Sequence, residues 1–387
     1  MPYDAAMTTT MAAPAYGGGR QLPFHASVED PRADFDSGLL VRIQAALLGL
    51  HDGQILRVAS PIDSVPADLR TFEVATGHAL LTVVPDQDRP GWRFHYVRKG
   101  RARTDWADAT GTTSDATPAD VGRRIDALMP RRLWLYTNYD CNLQCDYCCV
   151  VSGPRADPRR LPADRIRALV DEAVAASLER VFLTGGEPTL RPDLPDIIEF
   201  ITDRLPLTLL TNAMLLRGSR WEHLRPLVEA GRPIVFQVSL DSADPDLHDA
   251  HRGRGAHARA LEGIQTLLRT GARVRLAASL PEEHLDEIPR LHDLADAIGI
   301  AADDRIFRPI ALRGAATAGE PIRPEDVAPE LTCDAEGWFW HPVSNDPDMR
   351  LPVATNAPLA DAMVAVRARL ESVISTRSVQ LDRFTCG

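Results

Sequence analysis

Short apolar runs alternate with amphipathic segments from about residue 130 onward. Six runs have the length of strands, and they lie at 133–136, 181–184, 207–211, 234–240, 274–279 and 306–310. Between the first two, apolar residues from Ile166 to Leu178 recur at helical spacing, on a helix that we expect to begin just after Pro162. This alternation predicts a parallel sheet covered by helices and wound right-handed into an open or closed barrel. Ligands bind at the carboxyl ends of strands in such folds.

The first part of the chain carries a different pattern. Residues 1–25 are rich in Ala, Thr, Gly and Met without periodicity, which predicts a disordered tail. Residues 26–102 hold an amphipathic helical run at 40–50 and then strand-like alternation, which predicts a small two-layer α/β domain. The polar segment 103–126 is typical of a linker, so we place the domain boundary there.

The composition is that of a globular protein, with 44% hydrophobic and 25% charged residues. A length of 387 residues favours two or three domains. The net charge of −11 argues against a nucleic-acid partner, because binding to phosphates needs a basic face. No apolar run has the length that crosses a bilayer, and the N-terminus lacks the pattern of a signal peptide. We therefore expect a cytoplasmic protein that binds neither nucleic acid nor membrane.

Four of the six cysteines lie within nine residues, at Cys141, Cys145, Cys148 and Cys149. Clustered thiols in a chain without an export signal are more often metal ligands or redox groups than disulfide partners. The strand predicted at 133–136 leads into them. The spacing C-x-x-x-C-x-x-C lets one loop bind three corners of a 4Fe-4S cluster through the first three thiols. The fourth iron would then be open to chelate the amino and carboxylate groups of S-adenosylmethionine (SAM).

A structural zinc site is the alternative reading of these thiols. Such sites close with four nitrogen or sulfur ligands and commonly use two C-x-x-C motifs, whereas this chain has one. Cys333 and Cys386 could complete the zinc set. Cys149 directly follows Cys148, so its side chain should project differently, and we expect it to be a small buried hydrophobe rather than a ligand.

At this point the chain resembles the radical SAM superfamily, over roughly residues 130–312. Cys141, Cys145 and Cys148 fit the cluster motif of that family, and Tyr147 stands where the family packs the adenine of SAM. The resemblance implies a partial (β/α)6 barrel, one 4Fe-4S cluster and SAM. It also implies an enzyme that draws electrons from a donor such as flavodoxin or ferredoxin.

The second predicted strand ends in the sequence TGGEP, which resembles the SAM-binding motif of the family. Gly185 and Gly186 would let the backbone approach the ligand without a side chain in the way. Glu187 would compensate the ammonium group of SAM, and Pro188 completes the motif. Alone, this sequence would be an ordinary tight turn. Because it follows the cysteine motif by about one strand-helix unit, it is a specific indication of this family.

Two further strand ends match the family. Thr211 and Asn212 resemble its third-strand turn, and Ser239 and Asp241 resemble its fourth-strand terminus, where a hydroxyl and a carboxylate meet the ribose and carboxylate of SAM. Arg252 is a candidate for the SAM carboxylate by charge and bidentate geometry. Its alternative is a solvated arginine near a helix start.

Both flanking regions also resemble known modules. Residues 26–102 resemble the TusA/SirA sulfur carriers, but Leu40 and Val41 stand where that family has its Cys-Pro pair, so we predict a docking or recognition module without sulfur transfer. Residues 127–330 form the predicted radical SAM core. Residues 331–387 resemble a degenerate SPASM or twitch extension, a hairpin and a helix without an auxiliary cluster.

Three residues of this extension, Trp338, Trp340 and His341, either close the barrel mouth over substrate or form a buried hairpin face. Cys386 is either a redox thiol or hydrogen-atom donor, or a spare thiol. Taken together, the sequence predicts a radical SAM enzyme that abstracts hydrogen from a peptide or small-metabolite substrate. The alternative is a non-catalytic regulator or electron-transfer protein that binds SAM and an iron-sulfur cluster.

Overall fold

The computed structural model describes residues 21–76, 78–100 and 118–376. The chain divides into two compact units, 1–115 and 116–387. Most of the predicted tail, the larger part of the predicted linker and Cys386 lie outside the described residues. Helix α3, Pro118–Leu128, occupies the end of the segment that we predicted as linker. Among the described residues, no helix combines the length and apolar composition needed to cross a bilayer.

The first unit contains one mixed sheet and two helices. Its elements are β1 (Ala26–Glu29), α1 (Leu40–Leu48), β2 (Ile55–Ser60), α2 (Val65–Thr76), β3 (Ala79–Pro85) and β4 (Arg93–Arg98). The strand order is β1-β2-β4-β3, with β1 parallel to β2 and β4 antiparallel to both of its neighbours. Apolar side chains of both helices, such as Ile43 and Leu69, pack on one face of this sheet with Leu56 and Val58. The unit therefore has the two-layer α/β arrangement that its sequence pattern predicted.

The second unit contains six parallel strands separated by helices. They are β5 (Arg132–Tyr136), α4 (Ala163–Ala175), β6 (Arg180–Thr184), α5 (Leu194–Thr202), β7 (Leu207–Thr211), α6 (Gly218–Glu229), β8 (Ile234–Ser239), α7 (Pro245–Arg252), α8 (Ala256–Arg269), β9 (Arg273–Leu280), α9 (Glu287–Ile298) and β10 (Arg305–Pro309). The six predicted strands are confirmed, and each observed boundary lies within one residue of the prediction. The strand order is β10-β9-β8-β7-β6-β5-β11-β12, where β11 is Leu331–Cys333 and β12 is Trp338–Phe339, so the sheet is open rather than closed.

The strand residues alternate between two environments, because successive side chains of a strand point to opposite faces. Leu133 and Leu135 of β5 pack in the hydrophobic core with helix residues such as Ile166 and Leu169. The intervening Trp134 and Tyr136 line a cavity on the other face of the sheet. The parallel sheet thus presents one face to the helices and the other to a cavity.

The C-terminal extension joins the main sheet at the free edge of β5. Strand β11 (Leu331–Cys333) pairs parallel with β5 and antiparallel with β12 (Trp338–Phe339), and helix α10 (Leu359–Thr376) follows. Asp334 stabilises the hairpin turn, because its Oδ1 accepts the backbone N–H groups of Glu336 and Gly337 at 2.7 and 2.9 Å. The predicted hairpin and helix are therefore present.

The aromatic residues of this hairpin belong to the core. Trp338 and Trp340 are fully buried, and their Nε1 atoms donate to the carbonyl oxygens of Ala357 and Val327, each at 3.0 Å. Neither Trp338, Trp340 nor His341 lines the cavity, which Pro342 and Val343 reach instead. Of the two alternatives stated for these residues, the structure agrees with the buried hairpin face, since burial of the two rings and the hydrogen bonds of their N–H groups fix them inside the fold.

Burial of His341 makes the stability of the protein depend on pH. The side chain is 2% exposed, and burial, then the charges of Arg132 and Arg308, lower the pKa of His341 to about 3. In the unfolded chain this imidazole binds a proton near pH 6.5, so acidification from pH 6.5 to 4 favours the unfolded state by up to about 3 kcal/mol. We expect the variant His341→Asn to lose that part of the acid sensitivity in urea unfolding measured at pH 7 and pH 4.5. An unchanged pH dependence in His341→Asn would contradict this account.

Candidate functional site

A cavity lies at the carboxyl ends of the parallel strands. Each strand from β5 to β10 places its last or penultimate residue in the cavity wall: Tyr136, Thr184, Thr211, Ser239, Ser279 and Arg308. The C-terminal segment adds Pro342 and Val343. This location agrees with the rule that parallel α/β folds bind ligands at the carboxyl ends of their strands.

The loop after β5 brings three thiols to this cavity. Cys141, Cys145 and Cys148 all line it, and none of them forms a disulfide. The sulfur of Cys141 accepts the Leu143 N–H at 3.4 Å. The sulfur of Cys148 lies 3.4 Å from the Ser152 backbone nitrogen and 3.1 Å from Ser152 Oγ. Donors of this kind stabilise negative charge on sulfur, as thiolate ligands of iron require.

The local environment favours the protonated form of two of these thiols, Cys141 and Cys145. Burial, followed by the charge of Glu187, raises the pKa of Cys141 to about 12. Burial also raises the pKa of Cys145, although the Arg252 charge opposes it. Since only thiolates bind iron or zinc, metal binding at this loop must release protons.

The arrangement fits a cluster better than a single zinc ion. Within the described residues, no three or more His, Cys, Asp or Glu side chains are grouped to hold one metal ion. Cys333 lies in the hydrophobic core beside helix α4, with Leu135 as its register partner, so it does not complete a zinc site with the loop. The cysteine ligands of a cubane bind different iron atoms, so their sulfurs need not converge as tightly as four ligands of zinc do.

The two glycines after β6 allow this strand end to pack against the chain that leads into Cys141. A Cβ atom at Gly185 would lie 2.2 Å from the Asn138 carbonyl oxygen, and one at Gly186 would lie 2.1 Å from the Asp140 carbonyl oxygen. Gly186 N–H donates to Asn138 O at 2.8 Å. Both glycines line the cavity, but their closest neighbour is the backbone of the cysteine-bearing segment. The two glycines therefore do more than permit the close approach of a ligand, which is the role that the sequence predicts for them.

Glu187, just after β6, is hydrogen-bonded to the end of β7. Its side chain is buried and accepts four hydrogen bonds, from Thr189 N–H at 3.1 Å, Thr189 Oγ1 at 2.6 Å, Thr211 Oγ1 at 2.8 Å and Asn212 N–H at 2.8 Å. Burial raises the pKa of Glu187, and these donors oppose that rise. The carboxylate lines the cavity in a fixed orientation, where it can face a cationic ligand group.

An ion pair positions Arg252, the last residue of helix α7. Both oxygens of Asp241 accept from its guanidinium, and Asp241 also accepts Tyr147 OH and, at 3.0 Å, Ser279 N–H. Burial alone would raise the pKa of Asp241, but Arg252 and the other donors hold that pKa below its usual value. The pair therefore keeps a charged guanidinium and an aromatic ring at the cavity wall.

Eleven of the thirteen predicted site residues line the cavity: Cys141, Cys145, Tyr147, Cys148, Gly185, Gly186, Glu187, Thr211, Asn212, Ser239 and Arg252. Asp241 does not line it, because its carboxylate is engaged with Arg252, Tyr147 and Ser279 behind the wall. Pro188 also lies outside the wall, buried as the first residue of the short turn Pro188–Leu190. The direct ligand contacts predicted for these two residues stay predictions.

Several wall residues were not predicted from the sequence. The Ser152 hydroxyl contacts the sulfur of Cys148, and Ser279 and Arg308 occupy strand ends. The strand-end rule applied to β9 and β10 would have found the last two. Cys149, expected to be a buried hydrophobe, lines the cavity and packs beside Val150. That Cys149 is not a ligand stays a prediction.

Comparison with known proteins finds a family whose model matches the part of the chain that carries this site. Residues 135–295 match the model of the radical SAM superfamily, a range that contains every predicted site residue. AdoMet-dependent heme synthase from Methanosarcina barkeri is 28% identical over 261 residues, which cover 67% of this chain and 71% of that protein. GTP 3′,8-cyclase 3 from Mycobacterium bovis is 36% identical over 142 residues, 34% of this chain and 36% of that protein.

Among solved structures, Streptococcus suis SuiB bound to S-adenosylmethionine superimposes with a TM-score of 0.43 at 22% identity, over 51% of this chain and 45% of SuiB. The chain thus spans most of the heme synthase but less than half the length of the cyclase and of SuiB.

Proposed function

We propose that this enzyme, whose residues 135–295 form a radical SAM superfamily domain, binds one 4Fe-4S cluster and cleaves SAM reductively. The observation that carries the proposal is the set of three free thiols, Cys141, Cys145 and Cys148, in the wall of one cavity at the strand ends. The heme synthase relative is named as AdoMet-dependent, which supports SAM as the cosubstrate.

The residues present fit the cluster, since three thiols from one loop leave one iron corner without a protein ligand. When bound, the cluster supplies an electron to SAM, which releases methionine and a 5′-deoxyadenosyl radical that abstracts hydrogen from substrate. Around it, Arg252 binds the SAM carboxylate and Tyr147 packs against the adenine. Glu187 faces the SAM ammonium. The enclosing strand ends exclude water and competing hydrogen donors.

The substrate is a peptide or a small metabolite, and the electron donor is a flavodoxin or ferredoxin. We propose that the first unit is a docking or recognition module of the TusA/SirA kind. Its helix α1 begins at Leu40, where a sulfur carrier would need its cysteine. The degenerate SPASM or twitch character of the extension and the cytoplasmic location stay predictions.

Anaerobic reconstitution with iron and sulfide tests the proposal. We expect about four iron atoms per chain, visible charge-transfer absorbance, and 5′-deoxyadenosine in liquid chromatography with mass spectrometry after addition of SAM and dithionite. A chain that binds the cluster and SAM but forms no 5′-deoxyadenosine would be the non-catalytic regulator instead. A colourless chain that contains zinc would overturn both.

Loss of the Asp241 carboxylate is expected to weaken SAM binding. The variant Asp241→Asn removes the charge that orients Arg252, so the KM for SAM should rise about 10-fold or more, with a smaller fall in kcat. Asp246→Asn is the matched control, because Asp246 lies exposed on helix α7, which also carries Arg252, and this variant should behave as wild type. Steady-state formation of 5′-deoxyadenosine measures both constants. Equal SAM affinity in Asp241→Asn and wild type would show that the pair does not position Arg252 for SAM.

A further inference from the structure

The sulfur of Cys148 has a side-chain hydroxyl as well as a backbone nitrogen beside it. The backbone nitrogen of Ser152 lies 3.4 Å from this sulfur, and the Ser152 hydroxyl lies 3.1 Å from it. At Cys141, the sulfur accepts a backbone N–H, that of Leu143 at 3.4 Å. A thiolate has no proton to donate, so the Ser152 hydroxyl becomes the donor once Cys148 binds iron. Cys148 therefore has a donor that a single substitution can remove.

The turn that brings Ser152 to this sulfur is strained. Val151 has a φ of 54°, a left-handed conformation that is costly for a β-branched residue. Its side chain is 62% exposed, so apolar burial does not explain the conformation. Gly153, at the far end of the turn, accepts the Cys141 N–H through its carbonyl oxygen at 2.9 Å. Backbone strain persists where the surrounding structure enforces it and is concentrated at functional sites. Here its result is that both donors of Ser152 point at the sulfur of Cys148.

A second segment fixes the backbone of Cys148 from the other side. The Ala315 N–H donates to the Cys148 carbonyl oxygen at 2.9 Å. A Cβ atom at Gly314 would lie 2.4 Å from the same oxygen, and its φ is 59°, so both space and conformation require glycine there. Arg313 pairs with Asp348 at 2.8 Å and thereby holds this segment. The backbone of Cys148 consequently has little freedom to move its sulfur away from Ser152.

A hydrogen bond to a cysteine sulfur of a cluster affects the two oxidation states unequally. Reduction adds an electron, so the reduced cluster places more negative charge on its sulfur ligands. A donor stabilises the more negative state more strongly, because hydrogen bonds to charged acceptors are the stronger ones. Hydrogen bonds to the sulfurs are therefore among the features that set the reduction potential of an iron-sulfur cluster.

We infer that Ser152 is a positioning residue that holds the sulfur of Cys148 and raises the reduction potential of the cluster through its hydroxyl. A higher potential makes it easier for an electron donor to reduce the cluster. This inference rests on the proposed function, because that proposal assigns the cluster to Cys141, Cys145 and Cys148. Ser152 is not a ligand of iron in this account and acts through Cys148.

The test is a redox titration of anaerobically reconstituted enzyme without SAM, followed by electron paramagnetic resonance of the reduced cluster. Ser152→Ala removes the hydroxyl and keeps the backbone N–H. We expect this variant to keep its four iron atoms, while the reduction equilibrium shifts about 10-fold toward the oxidised cluster, which for one electron is a potential lower by about 59 mV. The KM for SAM should not change, because none of the residues assigned to SAM loses a contact.

Two further variants complete the titration. Ser152→Thr keeps the hydroxyl and should restore the wild-type potential. Ser27→Ala is the matched control, because Ser27 is also a half-buried serine with a side-chain hydrogen bond, from Arg57 Nε at 3.1 Å, but belongs to the first unit. Its potential should equal that of wild type. A purely structural role of Ser152 would lower the iron content or the stability and leave the potential of the remaining clusters unchanged.

Three results would overturn the inference. They are a wild-type potential in Ser152→Ala, a lowered potential that Ser152→Thr does not restore, and loss of iron from Ser152→Ala, which would make Ser152 a ligand or a structural residue.

Formation of 5′-deoxyadenosine by wild type separates this inference from the proposed function. If wild type cleaves SAM and Ser152→Ala keeps the wild-type potential, the inference alone is wrong. If Ser152 shifts the potential but wild type does not cleave SAM, the proposed SAM cleavage alone is wrong. A wild-type chain that binds no cluster would refute both.

Discussion

Replacement of Cys141, Cys145 and Cys148 together by serine is expected to abolish iron binding and the formation of 5′-deoxyadenosine. Serine keeps the size of the side chain but removes the thiolate that iron prefers. Burial raises the pKa of Cys141 to about 12 and also raises the pKa of Cys145, so these two thiols lose their protons only when the cluster binds. The folded chain should therefore form without iron, and its circular dichroism should match that of wild type. Iron and sulfide content together with 5′-deoxyadenosine formation measure the effect.

The neighbouring Cys149 provides a matched control. It lines the same cavity and directly follows Cys148, so Cys149→Ser makes the same chemical change within the same loop. We expect this variant to keep the full iron content and at least about half of the SAM cleavage, a difference of less than about 0.5 kcal/mol in the barrier. Full iron content in the triple variant, or loss of iron in Cys149→Ser, would assign the cluster to other ligands.

The architecture of the second unit could be predicted closely from the sequence. Its strands carry apolar residues on the helix face and a mixture of polar and apolar residues on the cavity face. Each strand therefore appears in the sequence as a short apolar run, and a Pro, Gly or charged residue beside the run marks where the strand ends. The strand 207–211 was predicted without error, between Pro206 and Asn212. The strand-end rule then indicated where the cavity lies, and the family resemblance identified Thr211 and Ser239 in its wall.

Long-range contacts could not be predicted in the same way. Strand β11 pairs with β5 across almost two hundred positions of sequence, and nothing in its three residues specifies that partner. Trp338 and Trp340 have the same local pattern whether they face a cavity or a core, and only the partners of their N–H groups decide between the two. Local periodicity fixes an element but not its neighbour.

At the site, Asp241 and the two glycines also make long-range contacts that the sequence does not predict. The sequence marked Asp241 as a ligand contact, whereas the guanidinium of Arg252, eleven positions later, occupies both of its oxygens. The TGGEP motif identified the right turn, but the distances from Gly185 and Gly186 to the backbone at Asn138 and Asp140 are known only from the fold. Residue type predicts which chemistry is present, and the fold decides whether it serves the ligand or another residue.

Substitution of Gly186 by alanine is accordingly expected to damage the site, although it changes none of the three cysteines proposed to bind the cluster. The added Cβ would lie 2.1 Å from the Asp140 carbonyl oxygen, which belongs to the residue just before Cys141. The backbone cannot retreat freely, because Gly186 N–H donates to Asn138 O and Glu187 N–H donates to Asp140 O, each at 2.8 Å. We expect a loss of about 3 kcal/mol in the free energy of unfolding and severe loss of cluster incorporation. Urea unfolding and iron content after reconstitution measure these effects.

Gly122 in helix α3 gives the matched comparison, because a Cβ atom there would meet nothing within 4 Å. Gly122→Ala should stabilise the protein by about 0.5–1 kcal/mol through helix propensity and leave the iron content unchanged. Gly186 has an ordinary backbone conformation, unlike Gly185 with its φ of 139°, so its substitution isolates the steric clash from backbone strain. Wild-type stability and iron content in Gly186→Ala would mean that the segment before Cys141 moves easily. Close packing of these two strand ends would then not set the position of the loop that carries the three cysteines.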